Sequence, residues 1–231
     1  MADLIGIGGH SGSGKTTSIK DLNPSETFIV SITGKSLPFK GFKKNYIKLK
    51  KEGDSYSGNF YVSRNSEDIA KIFKLVSAKM PEIKQIIVDD ANYLMSFEVM
   101  ERAEEKGWDK STQIAKHYYD MLNSAVNVRD DLKIIIISHI ENLGDALNPQ
   151  WKLKTAGKML DQQLNVDGLF TYLFYTAIVT SEDGKPAYKF RTNTIDGTDT
   201  CKTPMGCFED LYIDNNLQNV LDTIDKYNEG E

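Results

Sequence analysis

The chain opens with "LIGIGGHSGSGKTT" (Leu4 to Thr17), an apolar run passing straight into a glycine-rich segment that fits G-x-x-x-x-G-K-[ST] from Gly9 to Thr16. Few local patterns constrain a fold so tightly. The apolar run reads as a short buried strand, the glycines as a tight turn, and the residues from Gly14 as the start of a helix. Backbone N–H groups in such a turn hold phosphate oxygens, and a helix dipole behind them favours the negative charge. The expected nucleotide-binding set is Gly9, His10, Ser11, Gly12, Ser13, Gly14, Lys15, Thr16 and Thr17. Lys15 would reach the β- and γ-phosphates, and the Thr16 hydroxyl would ligate Mg²⁺. His10 is expected to pack or face solvent, because backbone donors do the loop's work.

The rest of the chain continues the alternation that the opening implies. Apolar runs at Thr27–Ile32, Gln85–Asp90 and Leu132–His139 read as buried strands. Between them lie helical patterns: one from Gly14 to about Asn23, where Pro24 ends it, one capped by Ser66, and one from Ala91 to Asp130 broken at Gly107. "LFTYLFYTAIVT" and "AYKFRTNT" flank "SEDGKP" as strand, turn and strand, and a last helix is expected near Leu217 to Tyr227. This order implies an α/β fold with a mostly parallel central sheet, helices on its faces and an antiparallel edge hairpin. At 231 residues one domain suffices, with a basic hairpin-like insertion at about 35–63 and a C-terminal hairpin and helix at about 168–228.

Chemistry is expected where the strands end. In "IIVDD", Asp89 is placed to hold the Mg²⁺ shell and Asp90 to activate water, with Glu98 and Glu141 as rival bases. In "IIIISHIE", Ser138 and His139 are candidates to sense the terminal phosphate. His117, amid a helix, reads as structural. Lys40, Lys43, Lys44, Lys48, Lys50 and Lys51, interleaved with Phe39, Phe42 and Tyr46, are a candidate single-stranded DNA surface; a solvated face with its aromatics in the core is the equal alternative. Lys152, Lys154, Lys158 and Arg191 are candidate cations that complete a neighbouring subunit's site.

Composition narrows the partners. The net charge of −5 makes the molecule as a whole no magnet for DNA, so any contact needs a local patch. Cys201 and Cys207 are the two cysteines, which suggests a reducing interior, and "MADLIGIGGH" lacks the features of a secretory signal. No run is long and apolar enough to suggest a membrane span.

Together, "GHSGSGKTT", "GKSLPF" after the second strand, "IIVDD", "SHIE", a later "GK" and "KTPMGCFEDLYIDNNLQNVLDTIDKY" resemble the phage nucleotide-binding P-loop proteins. These are RecA-like ATPases of recombination and replication modules, and the resemblance spans nearly the whole chain. It implies a RecA-like core using ATP and Mg²⁺ and acting in the cytoplasm of an infected bacterium. It further implies a ring or filament of identical subunits that anneals single-stranded DNA, in concert with a phage single-strand-binding protein. In RecA itself the water-activating glutamate follows the second core strand; here that place reads "SITGK", which fits annealing or slow hydrolysis better than full strand exchange. The alternatives are a nucleotide kinase, against which the few scattered arginines speak, and a motor or loader that remodels a replication or packaging partner.

Overall fold

A computed structural model of the protein describes residues 2–107, 109–156 and 165–230. Its elements begin with β1 (Leu4–Gly9), a 3₁₀ helix (Thr16–Asp21), β2 (Thr27–Ser31), a one-turn helix α1 (Phe42–Asn45), β3 (Lys50–Glu52), β4 (Ser55–Ser57) and β5 (Phe60–Val62). There follow α2 (Ser66–Lys79), β6 (Gln85–Asp89), α3 (Tyr93–Glu101), α4 (Asp109–Ala125), β7 (Lys133–Asn142) and β8 (Trp151–Leu153). The C-terminal part adds β9 (Tyr172–Thr180), β10 (Pro186–Arg191), β11 (Tyr212–Asp214) and α5 (Leu217–Glu229).

The main sheet runs β11-β10-β9-β1-β7-β6-β2-β5, with β8 pairing β7 off this path. From β9 to β5 every pairing is parallel, whereas β9, β10 and β11 form an antiparallel edge. The α/β fold and the edge hairpin are as the apolar periodicity implies. Ile134 to Ile137 are all fully buried because both faces of β7 are covered. Ile134 and Ile136 join Ile69, Phe73, Leu94 and Tyr118 on the face carrying α2, α3 and α4. Ile135 and Ile137 join Ile19, Phe42, Leu217 and Leu221 on the face carrying α5, α1 and the 3₁₀ helix.

Three local expectations change. The segment after the glycine loop is 3₁₀ rather than α-helical, and six residues long. Ser18 Oγ donates to Lys15 O at 2.6 Å, a local side-chain bond that competes with the helical ladder and tightens the turn. Asn65, not Ser66, caps α2, accepting from the N–H groups of Glu67 and Asp68 at 2.8 and 3.1 Å. In the basic segment the hairpin is shorter than its alternation implies. Lys50–Glu52 pairs antiparallel with Ser55–Ser57 as a separate two-stranded sheet, while Lys48 bridges Phe60 in parallel sense. Cys201 and Cys207 are free and buried. Among the described residues no helix is long and apolar enough to cross a membrane.

Candidate functional site

The glycine loop is fixed from beneath by its serine. Ser13 Oγ donates to His10 O at 2.6 Å and lies 2.5 Å from Thr176 Oγ1 on β9, so the loop is pinned to the strand beside β1. Gly12 and Gly14 adopt φ of 75° and 94°, a region that side chains disfavour. Among the described residues the N–H groups of Ser11, Gly12, Gly14 and Lys15 have no backbone partner. Unspent, clustered donors of this kind form an oxyanion cradle. His10 packs its ring edge-on against Trp151, with centroids 4.8 Å apart, as expected of a residue that supports the loop.

Lys15 lies under the cradle, 6% exposed. Its ammonium donates to Gly9 O at 2.9 Å and His10 O at 2.7 Å. Burial lowers its pKa to about 8, against the opposing pull of Asp90 and Asp89. Among the described residues the hydrogen bonds of this buried cation go to neutral carbonyl oxygens, and a phosphate above the loop would add a direct charged partner. Because the following helix is short and 3₁₀, this charge bears more of the task than a helix dipole would.

Across the mouth of the loop, the Thr16 hydroxyl donates to Asp89 Oδ1 at 2.8 Å. Asp89 ends β6 and is 4% exposed; burial, then the neighbouring Asp90 carboxylate, pushes its pKa up to about 6. Thr16 and Asp89 therefore offer one hydroxyl and one carboxylate to a cation, which suits Mg²⁺ because that ion keeps waters and phosphate oxygens in its shell. Among the described residues there is no cluster of three metal-ligating side chains. A phosphate-bound Mg²⁺ needs none, and the residues present fit a Mg²⁺–polyphosphate group.

Asp90 is the one non-glycine residue with positive φ (64°) among those described, a conformation aspartate tolerates and functional sites retain. Its Oδ2 accepts from the Thr33 hydroxyl at 3.3 Å, and its Oδ1 is 3.8 Å from His139 Nε2. That gap is too long for a direct hydrogen bond and leaves the two groups to share a third partner. His139 is held by its backbone, whose N–H donates to Asn92 Oδ1 at 3.1 Å. Burial and the nearby Lys15 charge lower its imidazole pKa against the opposing pull of Asp90, a net shift that favours the uncharged ring. Strand alternation separates the Ser138-His139 pair: His139 lines the cleft, whereas Ser138 is fully buried, with no partner for its hydroxyl among the described residues.

Lys15, Thr16, Asp90 and His139 all face one cleft of about 820 Å³ above the C-terminal ends of the parallel strands. Other expected residues lie elsewhere. Glu98 is held by Arg102 at 3.0 Å and His117 at 2.8 Å between α3 and α4. Glu141 pairs across to Lys152 in the β7–β8 ladder and accepts from Thr155 N at 2.9 Å. Arg191 is bound to the buried Asp199. Lys154 is exposed beside His139, its N–H donating to His139 O at 2.7 Å. Lys158 lies outside the described residues. The lysines 40, 43, 44, 48, 50 and 51 are all exposed, but Phe42 and Tyr46 are buried and pack with Phe39 and Phe60. The aromatics of that segment thus belong to the core and offer no stacking platform.

Sequence reasoning missed Lys35, Tyr93, Tyr188 and Asn215, which also line the cleft. Lys35 follows β2 at the same sheet edge as Asp90, so the rule that ligands sit at strand ends could have found it. Its ammonium lies 5.9 Å from the centre of the Tyr93 ring. Tyr188 and Asn215 carried no such signal, because their strands reach the cleft from the antiparallel edge. No family model matches the chain, and no curated protein matches it.

Proposed function

We propose that this protein is a Mg²⁺-dependent ATPase with a RecA-like P-loop core that acts on single-stranded DNA as a homo-oligomer. The observation that carries the reading is the Thr16–Asp89 hydrogen bond of 2.8 Å, with His139 on the strand between β1 and β6. It joins the loop hydroxyl to the strand-end carboxylate, with His139 lining the same cleft, an arrangement suited to hydrolysis of a terminal phosphate. The resemblance to phage recombination ATPases supports annealing as the task and a single-strand-binding protein as a partner.

Nucleotide and Mg²⁺, when bound, supply a polarised terminal phosphoryl group. The loop N–H groups and Lys15 hold its oxygens and take up charge as it develops. Thr16 and Asp89 would hold the metal. Asp90, with His139 beside it, would orient a water and accept its proton as the water oxygen bonds to phosphorus and the bond from phosphorus to the bridging oxygen breaks, releasing the nucleoside diphosphate and phosphate. The exposed lysines of the segment from Lys40 to Lys51 neutralise DNA phosphates without base stacking.

The test is phosphate release with and without single-stranded DNA and Mg²⁺, with Lys15→Ala as control, beside an annealing assay. Mg²⁺-dependent release stimulated by DNA and lost in the variant supports the reading. Release indifferent to DNA, with no DNA binding at low salt, removes its nucleic-acid half. Transfer of phosphate to a nucleoside monophosphate instead of water replaces it with a kinase.

A further inference from the structure

The cleft has two chemically different ends. One holds Asp90, His139, Lys35 and Lys15; the other, under β10, β11 and α5, holds Tyr188, Asn215 and Asn216. Resting on the nucleotide reading above, we infer that the second end is a nucleobase pocket selective for adenine, with Tyr188 as the stacking face and Asn215 as the group that reads the base.

Sheet order sets the direction of the ligand. β6, which carries Asp89, lies two strands to one side of β1; β10, which carries Tyr188, lies two strands to the other. Four inter-strand spacings amount to about 19 Å. With the terminal phosphate held at Thr16 and Asp89, the remainder of a nucleotide extends over Gly14 toward β10. Both pocket residues crowd that glycine. A Cβ on Gly14 would lie 3.1 Å from Tyr188 Cδ1 and 3.2 Å from Asn215 Oδ1.

The charges at this end are already satisfied. Asp214 accepts from Lys189 at 2.6 Å, and Asp21 accepts from Asn216 Nδ2 at 3.0 Å, with Lys20 4.0 Å away. Asn216 Oδ1 caps α5 by accepting from the N–H groups of Gln218 and Asn219. The Asn215 carboxamide is different: its Nδ2 is buried and has no partner among the described residues. It does not hold the protein together, and an unmet buried donor is costly unless a ligand meets it.

An aromatic ring beside an unspent carboxamide matches a heteroaromatic base. Tyr188 is 47% exposed despite its size, which leaves ring surface for stacking. A carboxamide presents a donor and an acceptor side by side, and rotation about Cβ–Cγ brings either to the cleft. That pair complements the N6 amino group and N7 of adenine. Guanine offers two acceptors at the same edge and would leave the Asn215 oxygen unpaired.

Equilibrium titrations with Mg²⁺–adenosine diphosphate, Mg²⁺–guanosine diphosphate and Mg²⁺–inorganic triphosphate separate the pocket from the phosphate site. In the wild type the adenine nucleotide should bind on the order of 10-fold to 100-fold more tightly than the guanine nucleotide. Asn215→Leu should bring that ratio close to one. Tyr188→Ala should weaken both nucleotides relative to inorganic triphosphate. Inorganic triphosphate binding and the melting temperature report whether each variant has folded. Equal binding of the two nucleotides by the wild type, or a ratio unchanged in Asn215→Leu, overturns the pocket while the phosphate site stands. Failure of the wild type to bind inorganic triphosphate or either nucleotide overturns both readings.

Discussion

The Thr16 hydroxyl and the Asp89 carboxylate, 73 positions apart in the chain, meet at 2.8 Å above the end of the sheet. Thr16 begins a short 3₁₀ helix, and Asp89 is buried beside a second carboxylate. The contact closes a ring around Lys15, so three ionisable or metal-binding groups share one poorly solvated volume. Such an arrangement disfavours the ligand-free state and rewards binding, and four predictions test it and its surroundings.

Lys15→Met should make the ligand-free protein more stable while abolishing tight polyphosphate binding. Lowering the lysine pKa from 10.5 to about 8 corresponds to roughly 3 kcal/mol against the charged form. Part of that is offset by the two carbonyl hydrogen bonds, leaving a net gain of about 1–2 kcal/mol, or roughly 3–6 °C in Tm. In the wild type this cost is present in full below pH 8 and fades as pH rises from about 8 toward 10.5. Calorimetry at pH 7 and pH 10 checks both statements; a variant less stable than wild type at pH 7 contradicts them.

For Asp89 the sign is opposite on the pH axis. Its pKa is raised from 3.8 to about 6, so the cost is present in full above pH 6 and fades as pH falls toward 3.8. Asp89→Asn should therefore gain about 2 kcal/mol at pH 7.5 and almost nothing near pH 4, by urea unfolding. The proposed hydrolysis needs Asp89 ionised and Lys15 protonated. The wild-type kcat/KM should rise through about pH 6 and fall through about pH 8, and the acid limb should disappear in the variant along with most Mg²⁺-dependent activity. A profile flat from pH 5 to pH 9 would rule these groups out.

Lys35 and His139 line the same cleft, and in the proposed ATPase the lysine charge would act on the terminal phosphate from within the chain. Lys35→Ala should lower kcat about 10-fold with little change in KM, and Lys35→Arg should recover much of the loss. Because the side chain is exposed, Tm should stay constant. An unchanged kcat in steady-state assays would mean that the cation comes from elsewhere.

Lys43 and Lys44 sit on the solvent side of α1, while Phe42 beneath them is buried. If they meet DNA phosphates, the double variant to alanine should weaken binding and lower the slope of log K against log salt by about 1–2. Poly-dT and poly-dA should bind alike, since Phe39, Phe42 and Tyr46 are engaged with each other and with Phe60. A strong base preference measured by fluorescence anisotropy would contradict the stacking-free surface.

Much of this molecule was legible in the chain alone. Glycine positions, apolar runs at strand spacing and the ends of those runs are local properties, so the glycine turn after β1, the parallel core, the edge hairpin and the strand-end place of Asp89 could be read directly. What depended on tertiary structure was which polar residue enters the cleft. Ser138 and His139 are adjacent, but a strand sends adjacent side chains to opposite faces, and packing alone chose His139. Glu98 is a rival to Asp90 by residue type, but Arg102 and His117 engage it between α3 and α4. Lys35, Tyr188 and Asn215 reach the site from three distant points of the chain, brought together by sheet order and by the hairpin that folds back over Gly14. Local sequence determines backbone habit; the company a side chain keeps is decided only when the layers close.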